Sequence, residues 1–214
     1  MNFNPSPTEF STGATDAMIV VECAVIMAIL YRSRAGDRFR VVLWCWGFGL
    51  LAFASVLGAV THGLDISRSL RDVLWKPLYL SLGMVVGLFV VGAIHDWHGR
   101  AAAVRLVPWS IGVAIAFFAL TELFDGAFII FVLYEAAGMA AALLIYLILA
   151  FTHRLRGAAI IATAILLNLL ASWIQASSLS LSLLVPLDHN GVFHLVQMVG
   201  LAVLGTGLRM GLRR

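Results

Sequence analysis

Three histidines, His62, His189 and His194, stand beside carboxylates in a chain otherwise dominated by apolar residues. Neutral imidazole is the commonest metal ligand in proteins. Three imidazoles from separate segments, backed by carboxylates, have the composition of a catalytic zinc site. Asn190, His194 and Gln197 recur at spacings of four and three, and Ser55 and His62 are seven apart, so each set shares a helix face. His189 and His194 are separated by about 140° on an ideal helix. Both reach one ion only if His189 precedes the helix, in the turn formed by Pro186, Leu187 and Asp188. Glu22 lies inside an apolar run, roughly 10 Å from its start at 1.5 Å per residue. An ionisable group there is a functional candidate by default, and the stripe carrying Asn190 and Gln197 is expected to face the bundle interior. Glu135 has no histidine at its depth and is expected to make an interhelical hydrogen bond or line a pathway.

The elements that position these groups follow from composition. Of 214 residues, 62% are hydrophobic and 12% charged, a balance outside the range of water-soluble domains. Seven apolar runs cover 14–31, 41–61, 73–94, 104–121, 126–151, 158–179 and 191–208, each long enough to span or nearly span a bilayer. The expected fold is all-α, a polytopic bundle of seven transmembrane helices, with tails at 1–13 and 209–214. The first ten residues carry no Lys or Arg, so they lack the basic segment of a cleaved signal, and the first span should be retained.

Orientation follows from positive charge. With seven spans, eleven of the fourteen Lys and Arg (Arg32, Arg34, Arg38, Arg40, Arg100, Arg105, Arg154, Arg156, Arg209, Arg213 and Arg214) fall at one end, against Arg68, Arg71 and Lys76 at the other. The positive-inside rule then puts the N-terminus outside and the C-terminus in the cytoplasm of a multi-pass protein of the cell membrane, the inner membrane in a bacterium. The net charge of +3 is thereby a matter of topology, with no nucleic-acid partner implied. Most carboxylates near span ends (Asp16, Asp65, Asp72, Glu122, Asp125 and Asp188) belong to the outer side, with the three histidines. His95, His98 and His153 fall among arginines at the inner side and read as solvated loop residues. Cys23 and Cys45 read as packing residues, and Gly83, Gly87 and Gly200 as points of close helix approach.

Ser55, His62, Asp72 and His194, with the segment Asp188 to Gln197, resemble the motifs of the seven-span membrane hydrolase superfamily of alkaline ceramidases, adiponectin-type receptors and haemolysin III-like proteins. Here Ser55 and His62 are seven apart where that family has four, and His189 and His194 five apart where it has four. The His-Asn-x-x-x-His-x-x-Gln ending also resembles an uncharacterised group of bacterial membrane proteins. The hydrolase resemblance implies a zinc-dependent hydrolase acting on a lipid amide or ester from the outer leaflet, by a metal-bound water whose pKa falls to about 7. His62, His189 and His194 would be its ligands, and Asp72 would orient or deprotonate the water. Ser55 would bind the oxyanion, Asp65 would support His62, and Glu22 would line the pocket.

Two other classes fit the same residues. A transmembrane haem b carrier needs a histidine from each of two helices, and this chain has three near each surface. A receptor or transporter would use the polar pocket for binding alone. A retinal protein is excluded, because the only lysine, Lys76, begins the third span and the seventh offers none for a Schiff base.

Overall fold

The computed structural model describes residues 2–33, 36–124, 128–182 and 185–212. Seven helices follow one another: α1 (Pro7–Arg32), α2 (Arg38–Gly63), α3 (Arg68–His98), α4 (Arg100–Leu123), α5 (Phe128–Phe151), α6 (Ala158–Gln175) and α7 (His189–Leu212). All seven are long and apolar enough to cross a membrane. Asp125, Arg34, Arg213 and Arg214, used in the charge count or among the outer carboxylates, lie outside the described residues.

Helix ends are set by local chemistry. Asp37 and Ser67 accept the backbone N–H of Arg40 (3.0 Å) and of Leu70 (3.2 Å), capping α2 and α3, and Asp188 accepts that of Gly191 (2.9 Å) to cap α7. Gly99, at φ +84°, is the single residue between α3 and α4, and a side chain there would be strained. The expected turn at 95–100 is therefore mostly helix. α3 runs on through His98, and His95 is buried at 8% exposure instead of solvated. α1 begins at Pro7, well inside the expected tail, with proline at the first helical position, where its missing N–H costs nothing. The tail preceding it is pinned: Asn4 Nδ2 donates to the His62 carbonyl (2.9 Å), and Phe3 bridges to Leu64. Between α6 and α7 the chain forms a short antiparallel ladder, β1 (Leu181–Ser182) with β2 (Pro186–Leu187), which apolar periodicity does not signal.

Helix adjacency defines a ring. α1 packs on α2, α2 on α3, α3 on α5, α5 on α6, α6 on α7, and α7 returns to α1. α4 lies outside, against α3 and α5, and turns Val104, Trp109, Ile111, Val113 and Ile115 outward, as a lipid-facing helix does. Small residues allow the close approaches. A Cβ on Gly83 would sit 2.7 Å from the Phe117 ring, and one on Gly87 3.3 Å from Ser110, so α3 and α4 meet across both glycines, as expected. Both cysteines are free, Cys23 buried and Cys45 partly so.

Within the arginine-rich end, Arg40 and Asp96 form an ion pair (Nη2 to Oδ2, 2.7 Å) with both side chains at most 3% exposed. Tyr146 donates to the same carboxylate oxygen (3.0 Å), and Arg40 Nη1 reaches the Leu208 carbonyl (3.3 Å). The cluster ties α2, α3, α5 and α7 together. At the opposite end, Lys76 and Glu122 form an exposed pair joining α3 to α4. Breaking that pair with Lys76→Met should shift stability by no more than about 1 kcal/mol, measurable as a nearly unchanged melting midpoint in detergent.

Candidate functional site

The ring encloses a cavity of about 420 Å³. Its lining comes from α1, α2, α3, α5, α6 and α7, with nothing from α4. Each long wall is one helix face at spacings of three and four: Trp44, Phe48, Leu51, Ser55, Gly58 and His62 on α2, and Asn190, His194, Gln197, Leu201 and Leu204 on α7. Both faces change character along their length. They are polar at the arginine-poor end and apolar and aromatic deeper in, where Phe89 and Met139 complete the wall.

His62, His189, His194, Ser55, Asn190 and Gln197 all line this cavity, so six of the nine candidate residues are brought together. Asp72 and Asp65 are not. Both are exposed, at the start of α3 and in the turn before it, and neither borders the cavity. The partner of His62 is Glu9, whose Oε2 lies 2.7 Å from Nδ1, so the support expected from Asp65 comes from the first turn of α1. Glu22 is also outside the lining. It is half-buried on α1, and its Oε2 is enclosed without a hydrogen-bond partner. His189 is the first residue of α7 instead of a member of the preceding turn, because Asp188 takes the capping position.

Two residues that the sequence left in secondary roles are central here. Asp16 lines the cavity at 5% exposure, with Oδ1 3.6 Å from His194 Nε2. Its carboxylate sits directly over Gly58, where any Cβ would lie 2.6 Å from Oδ2. Glu135 also lines the cavity and receives Asn168 Nδ2 (2.8 Å) and Ser172 Oγ (2.7 Å) from α6, the interhelical bond expected of it. Glu135→Leu strands the Asn168 amide, while Ser172 keeps the Asn168 carbonyl (3.1 Å), and should cost about 1–3 kcal/mol. A melting curve superimposable on wild type would show that these bonds contribute nothing net.

Thr15 Oγ1 lies 2.8 Å from both the Thr12 carbonyl and His194 Nδ1. A hydroxyl has one proton, so when it goes to Thr12, Nδ1–H donates to Thr15 and neutral His194 turns its Nε2 lone pair toward Asp16.

A zinc site needs three converging protein ligands. Among the described residues, no three His, Cys, Asp or Glu side chains are arranged to hold a metal ion. The residues present do not fit the zinc that the resemblance implies.

Fold and site together define a multi-pass membrane protein of seven helices, with a cavity inside a six-helix ring. The chain belongs to DUF6962, a family of unknown function whose model matches residues 11–213. Comparison with curated proteins and with solved structures finds no match.

Proposed function

We propose that the protein is a binding protein, a receptor or carrier, for a single-chain amphipathic molecule. The head of that molecule lies at the polar end of the cavity and its chain among the aromatic and aliphatic walls. One observation carries this reading: the gradient along α2 and α7 from His62, His189 and His194 down to Trp44 and Leu204, facing one cavity. Ligand pockets are commonly apolar with a few placed polar groups, and a cavity polar at one end and greasy at the other suits a lipid-like shape. This reading is favoured over zinc-dependent lipid hydrolysis because no three ligands converge among the described residues and because Asp72 and Asp65 stand away from the cavity.

Native mass spectrometry of protein released from detergent tests it. Wild type should retain a non-covalent amphiphile. Ala54→Phe, which pushes a ring into the cavity from a buried lining position, should lose it while remaining folded. Equal occupancy in both would place the molecule elsewhere on the protein.

A further inference from the structure

At the polar end of the cavity, among the described residues, two acceptors are left unserved. Asp16 is buried and lines the cavity, and among the described residues it receives no hydrogen bond. Its neighbour His194 presents a lone pair on Nε2 when the ring is neutral with its proton on Nδ1, toward Thr15. In that tautomer two acceptor atoms face each other at 3.6 Å, a spacing at which neither satisfies the other. Across the cavity, Gln175 Oε1 is buried without a partner while its Nε2 donates to Asn190 Oδ1 (3.3 Å). Among the described residues no Lys or Arg lines the cavity to serve these acceptors, whereas two carboxylates do line it. The Glu135 carboxylate is already served by Asn168 and Ser172, which leaves Asp16 as the one in need.

We infer that the cavity takes a protonated amine, its ammonium bridging Asp16 Oδ1 and His194 Nε2. The inference rests on the binding function proposed above and adds the chemistry of the head group. The geometry suits it: a nitrogen about 2.8 Å from each acceptor, the length of a charge-assisted bond, closes a triangle on the 3.6 Å base. An ammonium offers three donors and no acceptor, so one head group satisfies both atoms and keeps a third N–H for a neighbouring oxygen. Desolvating the cation is offset by a full carboxylate charge, and the aromatic walls at Trp75 and Tyr79 suit a cation as well. An anionic head, a phosphate or a fatty carboxylate, would meet the Asp16 charge with no compensating cation. Gly58 belongs to the same device: only a residue without Cβ leaves room for the Asp16 carboxylate where it stands.

The test is calorimetric titration of full-length protein in detergent with octylamine, 1-octanol and octanoate, three probes of equal chain length. Octylamine should bind more tightly than the alcohol, and octanoate should not bind measurably. Asp16→Asn should weaken octylamine by roughly 30-fold or more, the scale for losing one partner of a buried charge pair, and leave 1-octanol unchanged. Equal affinity of amine and alcohol in wild type, or an amine affinity untouched by Asp16→Asn, would overturn the ammonium assignment and leave the amphiphile pocket intact. Failure of all three probes to bind wild type would overturn the pocket as well. The wild-type comparison decides even if the variant does not fold.

Discussion

Asp96→Ala should destabilise the bundle by about 3–5 kcal/mol, the range for removing one partner of a buried ion pair. The reason lies less in the lost attraction than in what remains. Arg40, with its side chain 3% exposed, would keep its charge inside the bundle, its remaining hydrogen-bond acceptor among the described residues being the Leu208 carbonyl at 3.3 Å. Tyr146, fully buried, would lose its acceptor at the same time. His95 also contacts Asp96 (3.3 Å) and reaches Asp37 on its other nitrogen (3.3 Å), so the disturbance extends to the start of α2. Thermal unfolding in detergent measures the loss. Combining Asp96→Leu with Arg40→Met should recover much of it, because an apolar pair carries no stranded charge. A single variant that melts within about 1 kcal/mol of wild type would mean that Arg40 does not depend on Asp96.

The second large effect concerns the contact between α1 and α2, and it is asymmetric. A Cβ on Gly13 would lie 2.6 Å from both the Cα and the N of Gly63, backbone atoms that can move only if the helices part. The reverse substitution has room, since a Cβ on Gly63 meets nothing closer than Gly13 Cα at 3.8 Å. Gly13→Ala should therefore cost about 1–3 kcal/mol through overpacking, even though alanine favours a helix by roughly 0.5–1 kcal/mol over glycine. Gly63→Ala should be neutral or slightly stabilising. Since α1 carries Asp16 one turn below Gly13, Gly13→Ala should also displace that carboxylate from His194 and weaken amine binding. Identical melting points for the two variants would show that the helices are not locked at this point.

The bundle itself was legible because lipid-spanning helices announce themselves. Seven apolar runs became seven helices, and α5 ends at Phe151, where the run ends. Departures occur where polar residues continue a helix. Glu9 stands before the first apolar residues, so its place in the first turn of α1 and its bond to His62 were hidden by the expectation of a tail. Asp96 sits in a stretch of histidine and arginine that reads as solvent-exposed, and only packing of α3 against α2 and α5 reveals it as buried.

Within the site, residues read from helical periodicity fared better than those read from resemblance. Ser55, His62, Asn190, His194 and Gln197 share cavity-facing stripes because a 3.6-residue repeat fixes which side chains look the same way. Asp72 and Asp65 were assigned by analogy and point away, and Glu22 is on the edge of α1 instead of its inner face. The pairing of Asp16 with His194 joins positions at opposite ends of the chain across Gly58 of a third helix. No spacing within one helix encodes such a contact.

Occupation of the cavity by an amphiphile is the claim on which the functional account depends, and tryptophan fluorescence reads it directly. Trp44 and Trp75 line the cavity, whereas Trp46, Trp109 and Trp173 are exposed on the outside of the bundle. Titration with a bromine-terminated octanol should quench wild-type fluorescence in a saturable phase, over a linear background from the outward tryptophans. The saturable phase should vanish when Trp44 and Trp75 are both replaced by phenylalanine. Linear quenching alone in wild type, or a saturable phase that survives the double replacement, would contradict the account.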